Sequence, residues 1–232
     1  MIITIDGDTA AGKGTVAKQI AKKHSMYYLG SGLVFRAFGY LNGIGQANNA
    51  KEFYDKKDDI TFDWDGDVST VIYKESNITQ ILESDEVARR TAILAADGSN
   101  MLQMNSLVRE IGVSHLNTGL ICEGRTTGSG IFPDADFKFF ITASTEVRAL
   151  RRYEDFLRQG QKISLQEVYA NLKERDNRDR TRSTFPLLAP EGSRTIDTSN
   201  LSIMESVETV EHAILSHIPR EGTLNLNHIN KK

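Results

Sequence analysis

Residues 2–15 read Ile2-Ile3-Thr4-Ile5-Asp6-Gly7-Asp8-Thr9-Ala10-Ala11-Gly12-Lys13-Gly14-Thr15, and this stretch decides the fold. Its first part is a short β-branched run with the length and composition of one buried parallel strand. After the glycine-rich segment, Val16 and Ile20 recur at helical spacing, with lysines on the opposite side. A strand, a glycine loop and a helix in this order predict a βα unit.

The glycine-rich segment satisfies the pattern G-x-x-x-x-G-K of a phosphate-binding loop, with Gly7, Gly12 and Lys13 at its fixed positions. Glycine is needed because backbone N–H groups converge on phosphate oxygens where a Cβ would be in the way. The helix start favours anions, and Lys13 adds a mobile positive charge. The alternative is an incidental glycine turn, but a strand precedes the loop and a helix follows it. The pattern therefore predicts a bound mononucleotide or triphosphate. The residues predicted to hold it are Gly7, Asp8, Thr9, Ala10, Ala11, Gly12, Lys13, Gly14 and Thr15.

Strand-like and helix-like segments alternate along most of the remaining chain. Buried strands are predicted at residues 120–122, 137–143 and 194–197, and helices at residues 145–159 and 203–218. This alternation predicts an α/β fold, in which helices cover both faces of a parallel sheet.

Residues 45–105 break the alternation. Two β-type runs, at residues 60–64 and 68–73, flank Asp65-Gly66, which is a hairpin turn signal. We therefore predict an inserted subdomain here. The polar, aperiodic segment 219–232 is predicted to be a mobile tail.

The composition excludes several classes of protein. The 232 residues are 39% hydrophobic and 25% charged, which is typical of a globular domain with an ample core. The net charge of -3 gives no general attraction for nucleic acid or acidic membranes. The single cysteine, Cys122, excludes a disulfide framework and a cysteine-based zinc site. We find no apolar run of about 18 residues and no secretion signal. The expectation is a cytoplasmic protein that binds neither membranes nor nucleic acid.

Several further motifs narrow the function. The G-K-G-T ending of the loop, with Gly14 where a hydroxyl residue commonly follows the lysine, resembles nucleoside monophosphate kinases. Three later runs resemble, in order and spacing, motifs of the cytidylate kinase family: Gly30-Ser31-Gly32-Leu33-Val34-Phe35-Arg36, Glu123-Gly124-Arg125-Thr126-Thr127-Gly128, and Glu174-Arg175-Asp176-Asn177-Arg178-Asp179-Arg180-Thr181-Arg182. The resemblance runs from about residue 2 to residue 218. Each motif alone is a weak signal, whereas the set is highly specific.

The resemblance implies a P-loop NTPase-type parallel sheet flanked by helices, with an inserted subdomain that binds the nucleoside monophosphate (NMP) and an arginine-rich lid. It implies one domain at residues 1–218, with its core at 1–44 and 106–218, the insert at 45–105 and the lid at 148–185. It also implies transfer of the γ-phosphoryl group of ATP, with Mg²⁺, to a pyrimidine NMP, first of all CMP or dCMP. We expect the protein to be a monomer.

The arginine-rich run has the composition that phosphoryl transfer requires, because arginine holds phosphate bidentately and stays charged. Arg175, Asp179 and Arg182 are spaced i, i+4 and i+7, so they share one helix face. By resemblance, Arg175 reaches phosphates, Asp179 holds a ribose hydroxyl and Arg182 approaches the base. The alternative is a solvated helix with pairs such as Glu174–Arg178 and Asp176–Arg180.

Other side chains complete the predicted site. Arg36 follows an apolar run, and a monophosphate or a core ion pair would offset the cost of burying it. Arg125 lies just past a strand's carboxyl end, where open α/β sheets bind ligands. The predicted catalytic residues are Lys13, Arg125 and Arg175. The predicted substrate-binding residues are Ser31, Arg36, Ala92, Met101, Arg125, Thr126, Arg175, Asp179 and Arg182.

Two pairs of residues have more than one interpretation. Arg151 and Arg152 are either lid residues that bind ATP or surface charges. Thr15 and Glu123 are the predicted Mg²⁺ residues; Glu123 would act through water, and the alternative for it is a structural role.

The chain departs from the family pattern where the base would be read. Gly30, Phe35 and Thr126 stand where the family has Asp, Tyr and Asp. The best ungapped register places Ala92 and Met101 where the family reads cytosine with a serine and an arginine. The sequence therefore predicts weak discrimination of CMP from UMP or dTMP, or preference for another pyrimidine. Strong preference for CMP would instead indicate that Gln103 or Asn105 reads the base after a register shift.

Three other functions are considered: a kinase of UMP, dUMP or dTMP, a non-catalytic nucleotide-binding regulator, and a nucleic-acid-binding protein. A GTPase switch would carry N-K-x-D on a late strand, and the nearest string, Asp55-Lys56-Lys57-Asp58, lacks the asparagine and comes too early. The arginines alternate with acidic residues, which disfavours nucleic-acid binding.

Overall fold

A computed structural model describes residues 1–64 and 69–216. The strands of this part of the chain are β1 (Ile2–Gly7), β2 (Tyr27–Gly30), β3 (Ile60–Asp63), β4 (Thr70–Tyr73), β5 (Ser76–Asn77), β6 (Leu120–Glu123), β7 (Phe137–Thr142) and β8 (Arg194–Asp197). Its α-helices are α1 (Lys13–Lys23), α2 (Ser31–Gly43), α3 (Ala50–Tyr54), α4 (Thr79–Leu82), α5 (Asp85–Leu94), α6 (Gly98–Val113), α7 (Thr145–Arg158), α8 (Leu165–Thr181) and α9 (Ile203–Leu215).

The central sheet is parallel, with the strand order β2-β6-β1-β7-β8. β1 lies in the middle, and its successive residues Ile3, Thr4 and Ile5 are completely buried, as expected for a strand covered on both faces. Parallel strands end at the same edge of a sheet, so the segments that follow β1, β2 and β6 meet there. The predicted α/β fold with a parallel sheet is confirmed.

Helices cover the sheet closely. α1 buries Val16, Ala17 and Ile20 and packs beside α9. On α6, a Cβ at Gly112 would lie 2.9 Å from the side chain of Leu120 on β6, so the missing side chain lets this helix approach the sheet.

The segment 45–105 contains a second, antiparallel sheet of β3, β4 and β5, in which Ile60 lies opposite Tyr73. The two predicted β-type runs therefore do pair. The predicted turn at Asp65-Gly66 lies outside the described residues, as does the predicted tail at 219–232.

α7 and α8 pack on each other through a small apolar cluster that is separate from the main core and includes Ala149, Val168 and Leu172. α8 begins with a capping box, in which Ser164 and Glu167 satisfy each other's backbone N–H groups. These two helices belong to the predicted lid segment.

The predicted element bounds are close to the observed ones. Residues 194–197 form β8, the helix predicted at 145–159 ends at Arg158, and the helix predicted from 203 ends at Leu215. Residues 217 and 218 lie outside the described part. Within the described residues, no helix has the length and apolar character needed to cross a membrane.

Candidate active site

The phosphate loop connects the end of β1 to the start of α1. Gly7 has a φ of 144°, and a Cβ there would lie 1.8 Å from the carbonyl oxygen of Ile141, so glycine is required. Gly12 precedes α1 in the left-handed conformation, with a φ of 91°. Ala10 also has a positive φ, of 60°. These conformations bend the loop around the first N–H groups of α1, where an anion is stabilised.

Lys13 is the cation of this loop. Its Nζ donates to the backbone carbonyl of Asp8 at 2.7 Å, and the side chain is buried. Burial, together with repulsion from Arg125, lowers the pKa of Lys13 to about 7. A buried ammonium group whose pKa is lowered in this way is stabilised when an anion approaches.

Four arginines converge beside the loop: Arg36 from α2, Arg125 after β6, and Arg175 and Arg182 from α8 and its end. We call this group the arginine cluster. Burial lowers the pKa of Arg175 to about 9, and repulsion from Arg125 and Arg36 contributes. Burial is also the main cause that lowers the pKa of Arg36 and of Arg182. Because the guanidinium groups remain charged at neutral pH, the cluster is a site for an anion.

Arg125 connects the cluster to the phosphate loop. Its guanidinium donates to the carbonyl of Gly7 at 2.9 Å and to the hydroxyl of Thr9 at 2.5 Å. Its Nε lies 3.5 Å from the carboxylate of Asp179 on α8. Arg36 donates to the carbonyl of Leu82 at 2.6 Å, which is a backbone contact and not the core ion pair considered from the sequence. The structure thus brings Lys13 and the predicted arginines of three separate segments together.

The ends of β2 and β6 meet through Ser31 and Glu123. The hydroxyl of Ser31 donates to the carbonyl of Glu123 at 2.8 Å. The hydroxyl of Tyr28 donates to the Glu123 carboxylate at 3.3 Å. A Cβ at Gly30 would lie 2.9 Å from that hydroxyl and 3.2 Å from the ring of Trp64, so these aromatic side chains fill the space beside Gly30.

Thr15 and Glu123 have the donor chemistry that Mg²⁺ prefers, namely a hydroxyl and a carboxylate oxygen. Glu123 lies close enough to Lys13 to raise its pKa by charge attraction, and Thr15 is exposed in the first turn of α1. Within the described residues there is no group of three or more His, Cys, Asp or Glu side chains that could hold a metal on its own. The residues fit an ion that takes most of its ligands from phosphates and water.

Arg151 and Arg152 point to different partners. Arg151 donates to the hydroxyl and carbonyl of Thr198, at 3.2 and 2.8 Å, and the same hydroxyl donates to the loop carbonyl of Ala11 at 3.1 Å. Arg152 lies over the ring of Phe156 at 4.3 Å, and its charge acts on Arg36. Arg151 therefore braces the phosphate loop, and Arg152 adds positive charge next to the arginine cluster.

The three residues aligned with the base-reading positions are placed as follows. Ala92 is half-buried on α5, Met101 is buried on α6, and Thr126 is buried just before the π-helical turn Thr127–Ile131. Asp6 fixes that turn, because its carboxylate accepts the backbone N–H groups of Thr127 and Gly128, each at 2.7 Å.

Two ion pairs that the sequence did not predict hold α8 against the phosphate loop. Arg180 donates to the buried carboxylate of Asp8 at 2.6 Å. Arg148 of α7 bonds to Asp176 at 2.7 Å and to the carbonyl of Thr9 at 3.2 Å. The suggested pair Asp176–Arg180 is therefore wrong, since each of these residues bonds to a different segment. Only the mixed charge of the helix signalled these contacts, and it did not identify the partners.

A parallel sheet with a glycine loop after its middle strand, facing arginines of α8, defines the class of P-loop proteins that act on nucleotides. The cytidylate kinase family model matches residues 3–216. The chain belongs to the cytidylate kinase family, as the sequence motifs predicted.

Individual relatives support this assignment. The chain is 34% identical to a cytidylate kinase of Polynucleobacter necessarius over 212 residues, covering 90% of this chain and 96% of the relative. It is 33% identical to a cytidylate kinase of Bacteroides fragilis over 215 residues, covering 89% and 93% of the two chains. The solved structure of TT1252 from Thermus thermophilus has a TM-score of 0.51 at 17% identity, covering 94% of this chain and 97% of that one. At such low identity the structural likeness shows the fold alone.

Proposed function

We propose that this protein transfers the γ-phosphoryl group of ATP to CMP or dCMP, forming ADP and CDP or dCDP. The observation that carries the proposal is the arginine cluster, a concentration of half-buried positive charge directly beside the phosphate loop. Two adjacent anion sites are what a donor triphosphate and an acceptor monophosphate need. The relatives named cytidylate kinase favour cytosine as the base over the other pyrimidines, and catalysis over a purely regulatory role.

The donor is ATP, and we assign its phosphates to the loop. When the β- and γ-phosphates enter, Lys13 exchanges the carbonyl of Asp8 for phosphate oxygens, and the N–H groups at the start of α1 add further donors. Negative charge grows on the bridging oxygen as the bond between it and the γ-phosphorus breaks, and Lys13 stabilises that charge. ADP leaves with the electron pair of the broken bond.

The acceptor phosphate is assigned to Arg36, Arg125 and Arg175. Three guanidinium groups fix an oxygen of the monophosphate in line with the γ-phosphorus, where it forms the new P–O bond. Asp179 is placed by its contact with Arg125 to accept a hydrogen bond from a ribose hydroxyl. Ser31 connects α2, which carries Arg36, to the end of β6, which precedes Arg125.

Mg²⁺ would be held by Thr15 and, through water, by Glu123, and it would neutralise charge on the transferring phosphates. Tyr28 keeps the Glu123 carboxylate oriented at the end of β6.

We further propose that residues 45–105 form the NMP-binding subdomain and 148–185 the lid, and that one chain is sufficient. The predicted donor and acceptor residues already lie together within one chain. Cys122 is buried and free, which agrees with a reducing compartment, and we place the protein in the cytoplasm. We expect no nucleic-acid partner.

The proposal is tested with the purified protein, ATP–Mg²⁺ and separate monophosphates (CMP, dCMP, UMP, dUMP, dTMP, AMP and GMP) in an ADP-release assay. We expect CMP or dCMP to give the highest kcat/KM. The variant Arg175→Gln should raise KM for CMP and lower kcat, whereas Lys173→Gln, on an exposed position of the same helix, should change neither. ADP release that is independent of every monophosphate would show that the protein is not an NMP kinase.

A further inference from the structure

Asn105 on α6 is a buried polar residue whose side chain is held by no hydrogen bond among the described residues. Only 3% of the residue is exposed, and neither the oxygen nor the nitrogen of its amide has a hydrogen-bond partner among the described residues. Burying an amide without partners costs free energy, and native proteins satisfy nearly all such groups. A side chain that served packing alone would be apolar, as Met101 and Met104 are on the same helix. The amide is therefore free to form hydrogen bonds with a bound ligand.

The surroundings of Asn105 place it at the end of the arginine cluster. A Cβ on Gly130, in the π-helical turn, would lie 2.7 Å from Asn105 Nδ2 and 2.9 Å from the ring of Phe185. The carbonyl of Phe185 accepts a hydrogen bond from Nε of Arg182 at 2.5 Å, and Nη2 of that arginine is buried without a partner among the described residues. Asn105 and the ring of Phe185 thus lie together at Gly130, and the backbone of Phe185 is held by Arg182.

Phe185 has an unfavourable backbone conformation. Its φ is 48°, which is strained for a large side chain because the Cβ approaches the following backbone. The residue before Phe185 lies next to the start of α6, since a Cβ at Gly98 would lie 2.9 Å from the hydroxyl of Thr184. The ring lies against Gly130, where the missing side chain leaves room for a flat group.

We propose that Asn105 reads the base of the acceptor nucleotide, and that the base takes the place of the Phe185 ring against Gly130. This inference rests on the proposed kinase function. An amide offers a donor and an acceptor side by side. With cytosine, Oδ1 accepts from the exocyclic amino group and Nδ2 donates to N3. Rotated by half a turn, the same amide matches N3–H and O4 of uracil.

The test combines one protein variant with one change in the substrate. The second substrate is the 5′-monophosphate of the pyrimidin-2-one riboside, which is CMP with hydrogen in place of the amino group. The enzymes are the unaltered protein, Asn105→Leu, and Ser106→Leu as a control at an exposed position of the same helix. Both kcat/KM and the melting temperature are measured.

We expect the unaltered protein and Ser106→Leu to prefer CMP over the pyrimidin-2-one analogue by about tenfold or more, the scale of a buried polar group left unpaired. In Asn105→Leu this preference should shrink to about twofold or less, with kcat/KM for CMP lowered about tenfold. The melting temperature should stay equal or rise, because an apolar group replaces an unsatisfied amide. If Asn105→Leu does not fold, Asn105→Ala should show the same loss of preference.

An unchanged CMP preference in the Asn105 variants would overturn the inference. So would a lowered melting temperature with equal losses for both substrates, which is the behaviour of a structural residue. In either case the unaltered protein still phosphorylates CMP and the proposed function stands. If it phosphorylates no monophosphate, the proposed function fails, and this inference fails with it.

Discussion

At the scale of single residues, Lys13 carries the clearest chemical expectation. It is buried, it donates to the carbonyl of Asp8, and it lies where the phosphates of a donor would come. The variant Lys13→Ala should lower kcat by about 10²-fold or more, the scale of losing one preorganised electrostatic group. The fold should survive, since the ammonium group stabilises no second element. Steady-state kinetics and a thermal melt check both parts.

Lys22→Ala is the matched control, because it removes a lysine from the exposed side of the same helix. It should leave kcat within about twofold. If Lys13→Ala turned over as fast as the unaltered protein, the assignment of the loop to the donor phosphates would be wrong.

The lowered pKa of Lys13 predicts that the protein takes up a proton when ATP binds. Its pKa of about 7 in the ligand-free protein leaves it mostly neutral at pH 8.5, and bound phosphates raise the pKa again by attraction. Binding should therefore take up close to one proton near pH 8.5 and almost none from Lys13 below about pH 6. ATP affinity should fall as the pH rises through this range. Calorimetry in two buffers with different ionisation enthalpies measures the uptake.

The control for proton uptake is Lys13→Met, which keeps the volume but cannot be protonated. The difference in proton uptake between the unaltered protein and Lys13→Met at pH 8.5 gives the contribution of Lys13, because the titrating groups of ATP contribute to both measurements. An equal uptake in both would mean that Lys13 is already charged before ATP arrives.

The sequence predicted the phosphate loop and the arginines well because their patterns are local. Gly7, Gly12 and Lys13 have fixed spacing, and i, i+4 and i+7 place residues on one helix face whatever the rest of the fold does. Which side chains fill the space beside Gly30 could not be predicted from such a local pattern. Trp64 and Tyr28 fill it, and Trp64 is distant in sequence.

At the scale of secondary structure elements, α8 is fastened to the phosphate loop before any ligand binds. Arg180 bonds to Asp8, and Asp176 bonds to Arg148, which also donates to the loop carbonyl of Thr9. The Asp8 carboxylate is buried, which by itself would raise its pKa. The hydrogen bonds that it accepts from Thr142 and Arg180 outweigh this effect and hold the pKa below the ordinary value. These contacts connect α8 directly to the phosphate loop.

Breaking one of these contacts should loosen the lid. In Arg180→Gln, amide hydrogen exchange over residues 165–181 of the ligand-free protein should become faster, because α8 loses its bond to Asp8 while its small apolar cluster remains. In both proteins a bisubstrate analogue should slow exchange over residues 148–185 as the lid closes on the phosphates. Mass spectrometry of peptides from these segments gives the rates.

Lys173→Gln, on an exposed position of α8, serves as the control and should exchange like the unaltered protein. Unchanged exchange in Arg180→Gln would show that the apolar cluster and the Arg148–Asp176 pair are sufficient to hold the helix. No protection with the analogue would show that α8 is a fixed surface helix.

The elements themselves were predictable to within a few residues, and their contacts were not. Hydrophobic periodicity indicates where β8 and α7 lie, because a buried face recurs once per turn in a helix and at every second residue in a strand. Which carboxylate faces which arginine depends on how α8 is placed over the sheet. For this reason Asp176 and Arg180, four residues apart, looked like partners in the sequence but bond to different segments.

At the scale of the whole molecule, the parallel sheet gathers three distant segments at one edge. The loop after β1, the start of α2 and the segment after β6 bring Lys13, Arg36 and Arg125 together, and α8 covers them with Arg175. The parallel sheet was predictable from alternating strands and helices, and ligand binding at the carboxyl ends of its strands is a general property of such sheets. The unsatisfied amide of Asn105 follows from no sequence pattern, since it depends on what packs around it.

The central claim is that one chain moves a phosphoryl group from ATP to CMP. ATP labelled in its γ-phosphate, mixed with CMP and Mg²⁺, tests it most directly when the labelled products are separated and counted. Label should appear in CDP in amounts equal to the ADP formed, at a rate that Lys13→Ala reduces about 10²-fold or more. Label found only in inorganic phosphate, or only in ATP whatever the CMP concentration, would contradict the claim.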